Sequence, residues 1–358
     1  MAKGDMDMID REAIIHHLQE YTSDELIYKR YYELRNDPDS RAIFLKAVEN
    51  TVRERYLFIP EYPFIQIPEL FTEKTILLPT LPINETINVH LLKHSRYTPI
   101  FEHMQDYFEI IYVLSGKCGQ TVDNEQLPMA QGDLCFIPPF TKHTIEVFDD
   151  SVVLNIHIRR ETFDDIFFNT LRANSILSDF FMSCLYSKNP AHWILFSTGE
   201  DEEIRNLILD MYQEILYRDE YSKRLLSNMV PLLFVKTLRG YAKTASMKMP
   251  EAKNSANPNA LRLISYINDH YKSVTLETLA RQFNYSVPHC SKLIKEETGI
   301  SFIAFVRRVR MNHATSLLKS TSNTIADIAS MVGYENTESF IRAFQKEFKQ
   351  SPTAYRKM

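Results

Sequence analysis

The sequence predicts an α+β protein of several domains: a β-barrel with flanking helices, followed by an all-α C-terminal domain in which a long helix joins two helix-turn-helix units. Three observations support this fold class. One helical pattern occurs twice near the C-terminus. Apolar residues alternate with a period of two in the middle of the chain, and a helical period returns between these regions. At 358 residues the chain is long enough for two or three domains.

The C-terminal repeat predicts the two helix-turn-helix units. The copies cover residues 276–296 and 325–346, and each begins with a short amphipathic helix. Each copy turns at a residue that tolerates positive φ and restarts after a side chain that can cap a helix: Asn284 and Ser286 in the first copy, Gly333 and Asn336 in the second. Residues 301–319 have the periodicity of one long helix, which would act as a spacer of fixed length.

The repeat and its surroundings carry a set of residues typical of one family. They are Glu297 to Phe302, Arg310, Ala314, Leu317, Leu318, Ile325 to Tyr334, Phe340, Arg342, Phe344 and Ser351 to Arg356. On these residues, the region 259–358 resembles the DNA-binding domain of the AraC/XylS family of bacterial transcription regulators. The resemblance implies that both units place a recognition helix in successive major grooves of double-stranded promoter DNA. It also implies RNA polymerase as a partner.

Helix geometry selects the side chains that would face DNA. They are Pro288, His289, Ser291, Lys292 and Lys295 in the first recognition helix, and Thr337, Glu338, Ile341, Arg342 and Lys346 in the second. Arg342 can form a bidentate contact with guanine, Glu338 can accept from cytosine, and Ile341 can contact a thymine methyl group. Lys295 and Lys346 are placed to meet phosphate. Because Pro288, Cys290 and Lys292 depart from the family pattern, we expect the second helix to be the main reader of bases.

Charge is divided unevenly along the chain. Residues 257–358 hold 14 Lys and Arg against 8 Asp and Glu, a formal charge of +6, whereas the rest of the chain holds 27 against 38, or −11. Lys and Arg displace counterions from phosphate groups and so supply affinity that is independent of base sequence. A basic terminal domain on an acidic body is therefore typical of a nucleic-acid-binding protein.

Residues 85–160 predict the barrel, because short alternating strands are separated by Gly and Pro turns. Glu109, Gly116, the run from Gly132 to Pro138, and His143 resemble the two cupin motifs. The sensor domains of AraC-type regulators often have this fold, so the resemblance implies a barrel that holds a small effector such as a sugar. The predicted ligand-binding residues are Arg96, His103, Glu109, Tyr112 and His143, and a wider polar set adds His90, His94 and His157.

The cupin resemblance also raises an enzyme hypothesis, since metal-binding cupins hold a metal with histidines and a glutamate. The family's His-x-His pair would fall at Glu102 and Met104, but this sequence has a single His103 between them. With at most Glu109 and His143 in place, we expect no metal, no cofactor and no catalytic residues. Two alternatives stay open: a cupin-type metalloenzyme fused to a DNA-binding tail, and an effector-independent regulator controlled by a protein partner.

The remaining segments complete the domain organisation. Residues 1–84 form a helical, proline-punctuated extension that is either an interaction arm or a packing extension. Residues 161–243 contain apolar helical stripes, which the family resemblance assigns to homodimer formation. Residues 244–258 are polar and aperiodic, as in a linker, and residues 259–358 form the DNA-binding domain.

Two further features bear on location and redox state. No apolar run reaches the length of a membrane span, and the N-terminus lacks the apolar core of a secretory signal. We therefore expect a cytoplasmic protein without membrane contact. The cysteines, Cys118, Cys135, Cys184 and Cys290, have no zinc-like spacing, so we expect reduced thiols packed in the interior.

Overall fold

The computed structural model of the chain describes residues 10–62, 71–72, 75–77, 89–160, 162–163, 176–187, 192–217, 219–248 and 257–356. These residues fall into two units. The first contains the described parts of 1–162 and 192–248, and the second contains those of 163–191 and 249–358. The region 161–243, predicted as one helical domain, is therefore divided between the units.

Two sheets form the barrel of the first unit. One sheet contains β1 (Phe71–Thr72), β2 (Thr75–Leu77), β4 (His103–Met104), β6 (Lys117–Val122), β7 (Glu125–Gln126), β8 (Met129–Ala130) and β10 (His143–Glu146). The other contains β3 (Val89–Lys93), β5 (Phe108–Ser115), β9 (Asp133–Ile137), β11 (Val152–Ile158), β12 (Trp193–Ser197) and β13 (Ser246–Lys248). The strand orders are β1-β2-β4-β10-β6-β7, with β8 beside β6, and β13-β12-β9-β5-β11-β3. The predicted fold class is confirmed.

Strand β5 shows how the sequence separates the two faces of its sheet. Successive side chains of a strand point to opposite faces, so Ile111 and Val113 share a face with Glu109. This face contributes to an apolar cluster inside the barrel: Ile111, Val113, Cys118, Val122, Leu127, Met129, Cys135, Ile137, Ile145, Val147, Val153 and Trp193. On the opposite face Phe108 stacks on Phe136, which contacts Phe234 of a covering helix. Because both faces are covered, the strand is buried from Phe108 to Leu114.

Helices cover the outer face of the second sheet and extend the unit at its N-terminus. They are α1 (Arg11–Gln19), α2 (Ser23–Glu33), a 3-10 turn (Leu34–Asn36), α3 (Pro38–Glu54), α5 (Glu202–Tyr217) and α6 (Ser222–Tyr241). Helices α5 and α6 pack on each other and on β3, and α1 packs on α5. The prolines from Pro63 to Pro82, which were expected to interrupt helical structure, lie outside the described residues.

A buried ion pair fastens the N-terminal helices to the barrel. Arg96, which follows β3, is 1% exposed, and Glu25 of α2 is fully buried. Arg96 Nε donates to Glu25 Oε1 at 2.9 Å and its Nη2 donates to Oε2 at 3.1 Å, while Lys93 Nζ donates to Oε2 at 2.7 Å. The guanidinium also donates to the carbonyls of Gln19 and Glu20. Every charge in this cluster is therefore paired, as burial requires.

The second unit is all-α in the part of the chain that is described. Its helices are α4 (Ile176–Tyr186), α7 (Pro258–His270), α8 (Leu276–Phe283), α9 (Val287–Thr298), α10 (Phe302–Ser320), α11 (Ile325–Met331), α12 (Thr337–Phe348) and α13 (Pro352–Arg356). Helix α10 is the predicted spacer, and it buries Phe305, Val309 and Ala314 as its periodicity indicates. Met311, Ala314 and Leu318 of α10 share a core with Phe340 and Phe344 of α12.

Three smaller expectations can be compared with the structure. The predicted linker 244–258 includes strand β13, which pairs with β12, and its residues 249–256 lie outside the described part. Cys118, Cys135, Cys184 and Cys290 are buried thiols that form no disulfide, as predicted. Among the described helices, none combines the length and apolarity that crossing a bilayer demands.

We expect Glu25 to make the first unit sensitive to acid. Burial alone would raise the pKa of Glu25, but hydrogen bonds from Arg96 and Lys93 outweigh it and lower the pKa to about 2 from the ordinary 4.5. Because the folded pKa lies below the unfolded one, the stabilisation of about 3 kcal/mol is complete above the unfolded value and is lost as pH falls through the folded one.

Urea unfolding of the full chain, followed by fluorescence of its single tryptophan, Trp193, checks this expectation. Between about pH 6 and about pH 3, Glu25→Gln should lose less stability than the wild type, because it lacks the titrating group. Asp24→Asn, in an exposed pair with Arg55, is the control and should behave as the wild type. Equal acid losses in the wild type and Glu25→Gln would contradict the assignment.

Candidate nucleic-acid interface and barrel interior

The two helix-turn-helix turns are closed by the same backbone hydrogen bond. Tyr285 N donates to Ala280 O, and Tyr334 N donates to Ala329 O, both at 2.9 Å. A bond between residues five apart closes a Schellman turn, which needs a residue of positive φ just before the donor. These residues are Asn284, with φ 55°, and Gly333, with φ 89°. The acceptor is an alanine and the donor a tyrosine in both copies of the repeat.

Each recognition helix begins at a side-chain cap. Ser286 Oγ accepts from His289 N at 3.3 Å at the start of α9. Asn336 Oδ1 accepts from Glu338 N at 2.7 Å and from Ser339 N at 3.3 Å at the start of α12. Both predicted caps are confirmed, and they fix the point at which each helix begins.

The first recognition helix, α9, presents a mixed outer face. Cys290, Leu293 and Ile294 point into the core. Of the predicted DNA-facing residues, Ser291 is half-buried, and the exposed ones are Pro288, His289, Lys292 and Lys295. The ring of His289 lies 4.9 Å from that of Tyr285, edge to face. The exposed cations of this face are therefore lysines, which act as point charges.

The second recognition helix, α12, is held by aromatic packing. Phe340 and Phe344 are fully buried in the core they share with α10. Glu338, Arg342 and Lys346 are exposed, as predicted for DNA-facing residues, and Thr337 is half-buried. Ile341 is also half-buried and packs against the core, so only part of its side chain is available to a thymine methyl group.

Charged residues on both outer faces form loose pairs along the helix. Lys292 Nζ lies 3.8 Å from Glu296 Oε1, and Arg342 Nη1 lies 3.9 Å from Glu338 Oε2, with all four side chains more than half exposed. Exposed pairs of this kind contribute little to stability. The cations can therefore exchange their carboxylate partners for phosphates or base edges at small cost.

The barrel interior is centred on the buried carboxylate of Glu109. Its Oε2 accepts from Gln105 Nε2 at 2.7 Å and from His143 Nε2 at 3.1 Å. Its Oε1 accepts from Asn155 Nδ2 at 2.8 Å and from His157 Nε2 at 3.1 Å. Burial alone would raise the pKa of Glu109, but the hydrogen bonds and charges of His143 and His157 hold it well below the ordinary value. Glu109 is thus an ionised group inside the barrel.

His103 joins this cluster, contrary to the argument from ligand spacing. Residues directly opposite on paired strands share a face, and His103 of β4 lies opposite His143 of β10. Ligand atoms of His103, Glu109 and His143 lie within 4.8 Å of one another. Burial, followed by the charge of His143, lowers the pKa of His103 to about 3, so its ring is neutral near pH 7. The expectation of at most two ligand-type residues here was wrong.

The hydrogen bonds of Glu109 nevertheless argue against a metal centre. An ionised carboxylate accepts about four hydrogen bonds, and the four donors around Glu109 fill that capacity. His143 Nδ1 also lies 3.1 Å from Thr141 O, which orients the ring toward Glu109. The side chains present fit a hydrogen-bonded polar cluster better than a metal site.

Two predicted ligand-binding residues lie away from this cluster. Arg96 is occupied by Glu25 and by the carbonyls of Gln19 and Glu20 at the end of α1, and its guanidinium lies 3.8 Å from the ring centre of Tyr21. Tyr112 lies an odd number of residues from Glu109 on β5 and so faces outward. Burial raises the pKa of Tyr112 to about 12, and its charged neighbours are Arg205 of the covering helix α5 and Asp201, which directly precedes that helix. Neither side chain shares the barrel interior with Glu109.

The structure adds polar residues that sequence reasoning missed. Gln105 and Asn155 are buried donors to Glu109. Gln120 of β6 is 3% exposed, and neither its Nε2 nor its Oε1 has a hydrogen-bond partner among the described residues. Trp193 Nε1 is likewise unpaired in that part of the chain. Strand parity was the available signal, since Gln120 lies two residues from both Cys118 and Val122 and so shares their inward face.

Two protein families match the chain. A helix-turn-helix domain family matches residues 279–358, and a cupin domain family matches residues 88–156. These are the segments that hold the two recognition helices and most of the barrel strands.

The similar proteins include regulators of transcription. The HTH-type transcriptional activator RhaS of Citrobacter koseri is 25% identical over 252 residues, covering 70% of this chain and 85% of that protein. The C-terminal domain of AraT, a response regulator from Geobacillus stearothermophilus, is 39% identical and covers 28% of this chain and 86% of that chain, with a TM-score of 0.28. ToxT from Vibrio cholerae is 14% identical and covers 76% of this chain and 98% of that chain, with a TM-score of 0.31.

We expect the barrel to carry no stoichiometric metal, because the acceptor positions of Glu109 are filled by hydrogen bonds. Elemental analysis of full-length protein purified without chelator measures this directly. His103→Ala, which removes one of the three ligand-type side chains, is the matched variant. A metal present at one per chain in the wild type and lost in His103→Ala would overturn the expectation.

Proposed function

Because the chain belongs to the AraC/XylS family of transcription regulators, with a cupin-like domain before its helix-turn-helix domain, we propose that it is a transcription activator that binds promoter DNA under the control of a small-molecule effector. The pair of capped recognition helices with exposed basic side chains carries this proposal. A relative named as a transcriptional activator supports activation, which we assign to contact with RNA polymerase at the promoter. We propose no catalytic role for the barrel.

The electrostatics of the recognition helices support DNA binding. The exposed faces of α9 and α12 carry Lys292, Lys295, Arg342 and Lys346, within a region whose formal charge is +6. The N-terminus of each helix also carries the positive end of the helix dipole, which favours phosphate. The basic side chains and the helix dipoles both supply affinity, whereas Arg342 and Glu338 can distinguish bases.

The barrel interior is the effector site that we propose. Gln120 needs one donor and one acceptor as partners, and the indole of Trp193 needs an acceptor. Buried polar atoms without partners cost free energy, so a ligand that satisfies them binds with that gain. A neutral hydroxylated molecule, such as a sugar, supplies both donors and acceptors. It would lie beside the apolar cluster that contains Trp193, Cys118 and Val122.

A homodimer is the oligomeric state that we propose. Helix α6 buries Leu226 and Leu233 in its own unit, but Tyr221, Leu225 and Leu232 are 63%, 44% and 44% exposed. The spacing of these three residues places them along one side of the helix. We assign this apolar face to a second copy of the chain.

Arg342→Ala should weaken binding to the preferred DNA site by about 1–3 kcal/mol and relax base preference at one position. The preferred site is first selected from random DNA with the full-length protein, and affinities are then compared at one fixed salt concentration. Lys346→Ala is the matched variant: it should lower affinity for all sequences and reduce the salt dependence by about one phosphate contact. Unchanged affinity in a folded Arg342→Ala protein would contradict the assignment.

A thermal-shift screen of sugars, polyols and other metabolites on the full chain tests the effector. A true effector at about 100 times its dissociation constant stabilises the folded state by about 2.7 kcal/mol. Gln120→Leu, similar in size but apolar, should fold and lose this stabilisation. The full chain is needed because truncation at residue 243 would remove β13. A ligand that left DNA affinity unchanged would refute the sensor role, since control requires different affinities for two states.

Sedimentation of the full chain tests the dimer. We expect a dimer for the wild type and a monomer for the double variant Leu225→Glu and Leu232→Glu, because buried carboxylates without partners are costly. Leu26→Glu, at a 54% exposed position on α2, is the control and should stay dimeric. A dimer in the double variant would show that this face of α6 does not form the interface.

A further inference from the structure

Arg310 joins the two halves of the DNA-binding domain, of which the first contains α7 to α9 and the second contains α11 to α13. It lies on the spacer helix α10, and its Nε donates to Tyr271 O while its Nη2 donates to Lys272 O, each at 2.9 Å. Both carbonyls follow the end of α7, in the first half. The same guanidinium lies 5.5 Å from the ring centre of Tyr334, in the turn of the second helix-turn-helix unit. One side chain therefore contacts both halves.

Gly333 forms the second contact of this junction. A Cβ atom on Gly333 would lie 2.5 Å from Lys272 O and 2.8 Å from Lys272 Cα, so the two backbones meet where no side chain fits. The carbonyl of Lys272 thus accepts from Arg310 and packs against the second turn. In the first helix-turn-helix unit, the residue at the equivalent turn position is Asn284, which carries a side chain.

Tyr271 extends the junction into the core of the second half. Its ring stacks on that of His313, with centroids 4.0 Å apart and planes 11° apart, and it packs against the core that holds α12. On the other side, α7 packs against the first recognition helix, α9. The contacts from α9 to α12 therefore run through α7, the junction and the second turn, in addition to the packing of both helices on the spacer helix α10.

A spacer helix alone fixes the distance between the two helix-turn-helix units. The rotation of one unit relative to the other depends on how each unit packs at its end of the spacer. The planar fork of an arginine that spans two successive carbonyls restricts that rotation, because its donors have a fixed geometry. From these contacts we infer that Arg310 is a positioning residue that, together with Gly333, fixes the distance and rotation between the two recognition helices. It thereby sets which spacing of two DNA subsites the protein accepts. This inference rests on the proposed DNA-binding function.

The test compares binding to the selected DNA site with binding to the same site after insertion of about 5 base pairs, half a helical turn, between its subsites. In the wild type, the insertion should prevent simultaneous contact and lower affinity by about 100-fold. Arg310→Lys keeps the positive charge but loses the forked guanidinium. For this variant, the insertion should lower affinity by about tenfold or less. Its affinity for a fragment carrying only one subsite should equal that of the wild type.

Two further variants separate positioning from other roles. Arg307→Lys, one turn earlier on the same helix, should keep the wild-type penalty. Gly333→Ala, which changes no charge but forces Lys272 away, should relax the spacing preference as Arg310→Lys does. An unchanged penalty in both Arg310→Lys and Gly333→Ala would overturn the inference while leaving DNA binding intact. Failure of the wild type to select any DNA would overturn the proposed function and this inference with it.

Discussion

The barrel depends on the hydrogen bonds that the buried, ionised carboxylate of Glu109 accepts. An unpaired charge in an apolar interior costs several kcal/mol, so Glu109 can be buried only if donors surround it. Those donors come from separate parts of the fold: Gln105 precedes β5, His143 is on the opposite sheet, and Asn155 and His157 are on β11. The carboxylate therefore ties the two sheets together at this level. It also orders the polar groups beside the proposed effector site.

The same rule separates buried structural charges from exposed charges elsewhere in the chain. Glu25 and Arg96 are buried and paired with each other, so they hold α2 against the barrel, and four of the five N–H donors of Arg96 are already in use. Lys292 and Arg342 have loose pairs at 3.8 and 3.9 Å on exposed faces, where water and salt weaken the attraction. A buried pair cannot exchange partners without a large cost, whereas an exposed one can. Residue type alone does not distinguish these cases; burial does.

Local patterns were predictable from the sequence, and contacts between distant segments were not. The turns at Asn284 and Gly333 could be read because a Schellman turn involves residues five apart. Tyr112 could have been excluded as a barrel-facing residue by strand parity, since it is three residues from Glu109. Arg96 could not, because its partner is 71 residues away in sequence. His103 was predicted as a ligand-binding residue of the barrel, but its place within ligand distance of Glu109 and His143 depends on the pairing of β4 with β10, which the sequence does not encode locally.

The two recognition helices share a scaffold but differ in what their side chains can do. Both are capped at the N-terminus and held by buried residues, so their outer faces are presented in the same manner. The exposed cations of α9 are lysines, which meet phosphate as point charges, whereas α12 exposes Arg342, whose fork can match the two acceptors of guanine. Pro288 further lacks the backbone donor that other residues offer in the first turn. On these grounds α12 is the helix to which we assign base recognition, and α9 supplies affinity that depends less on sequence.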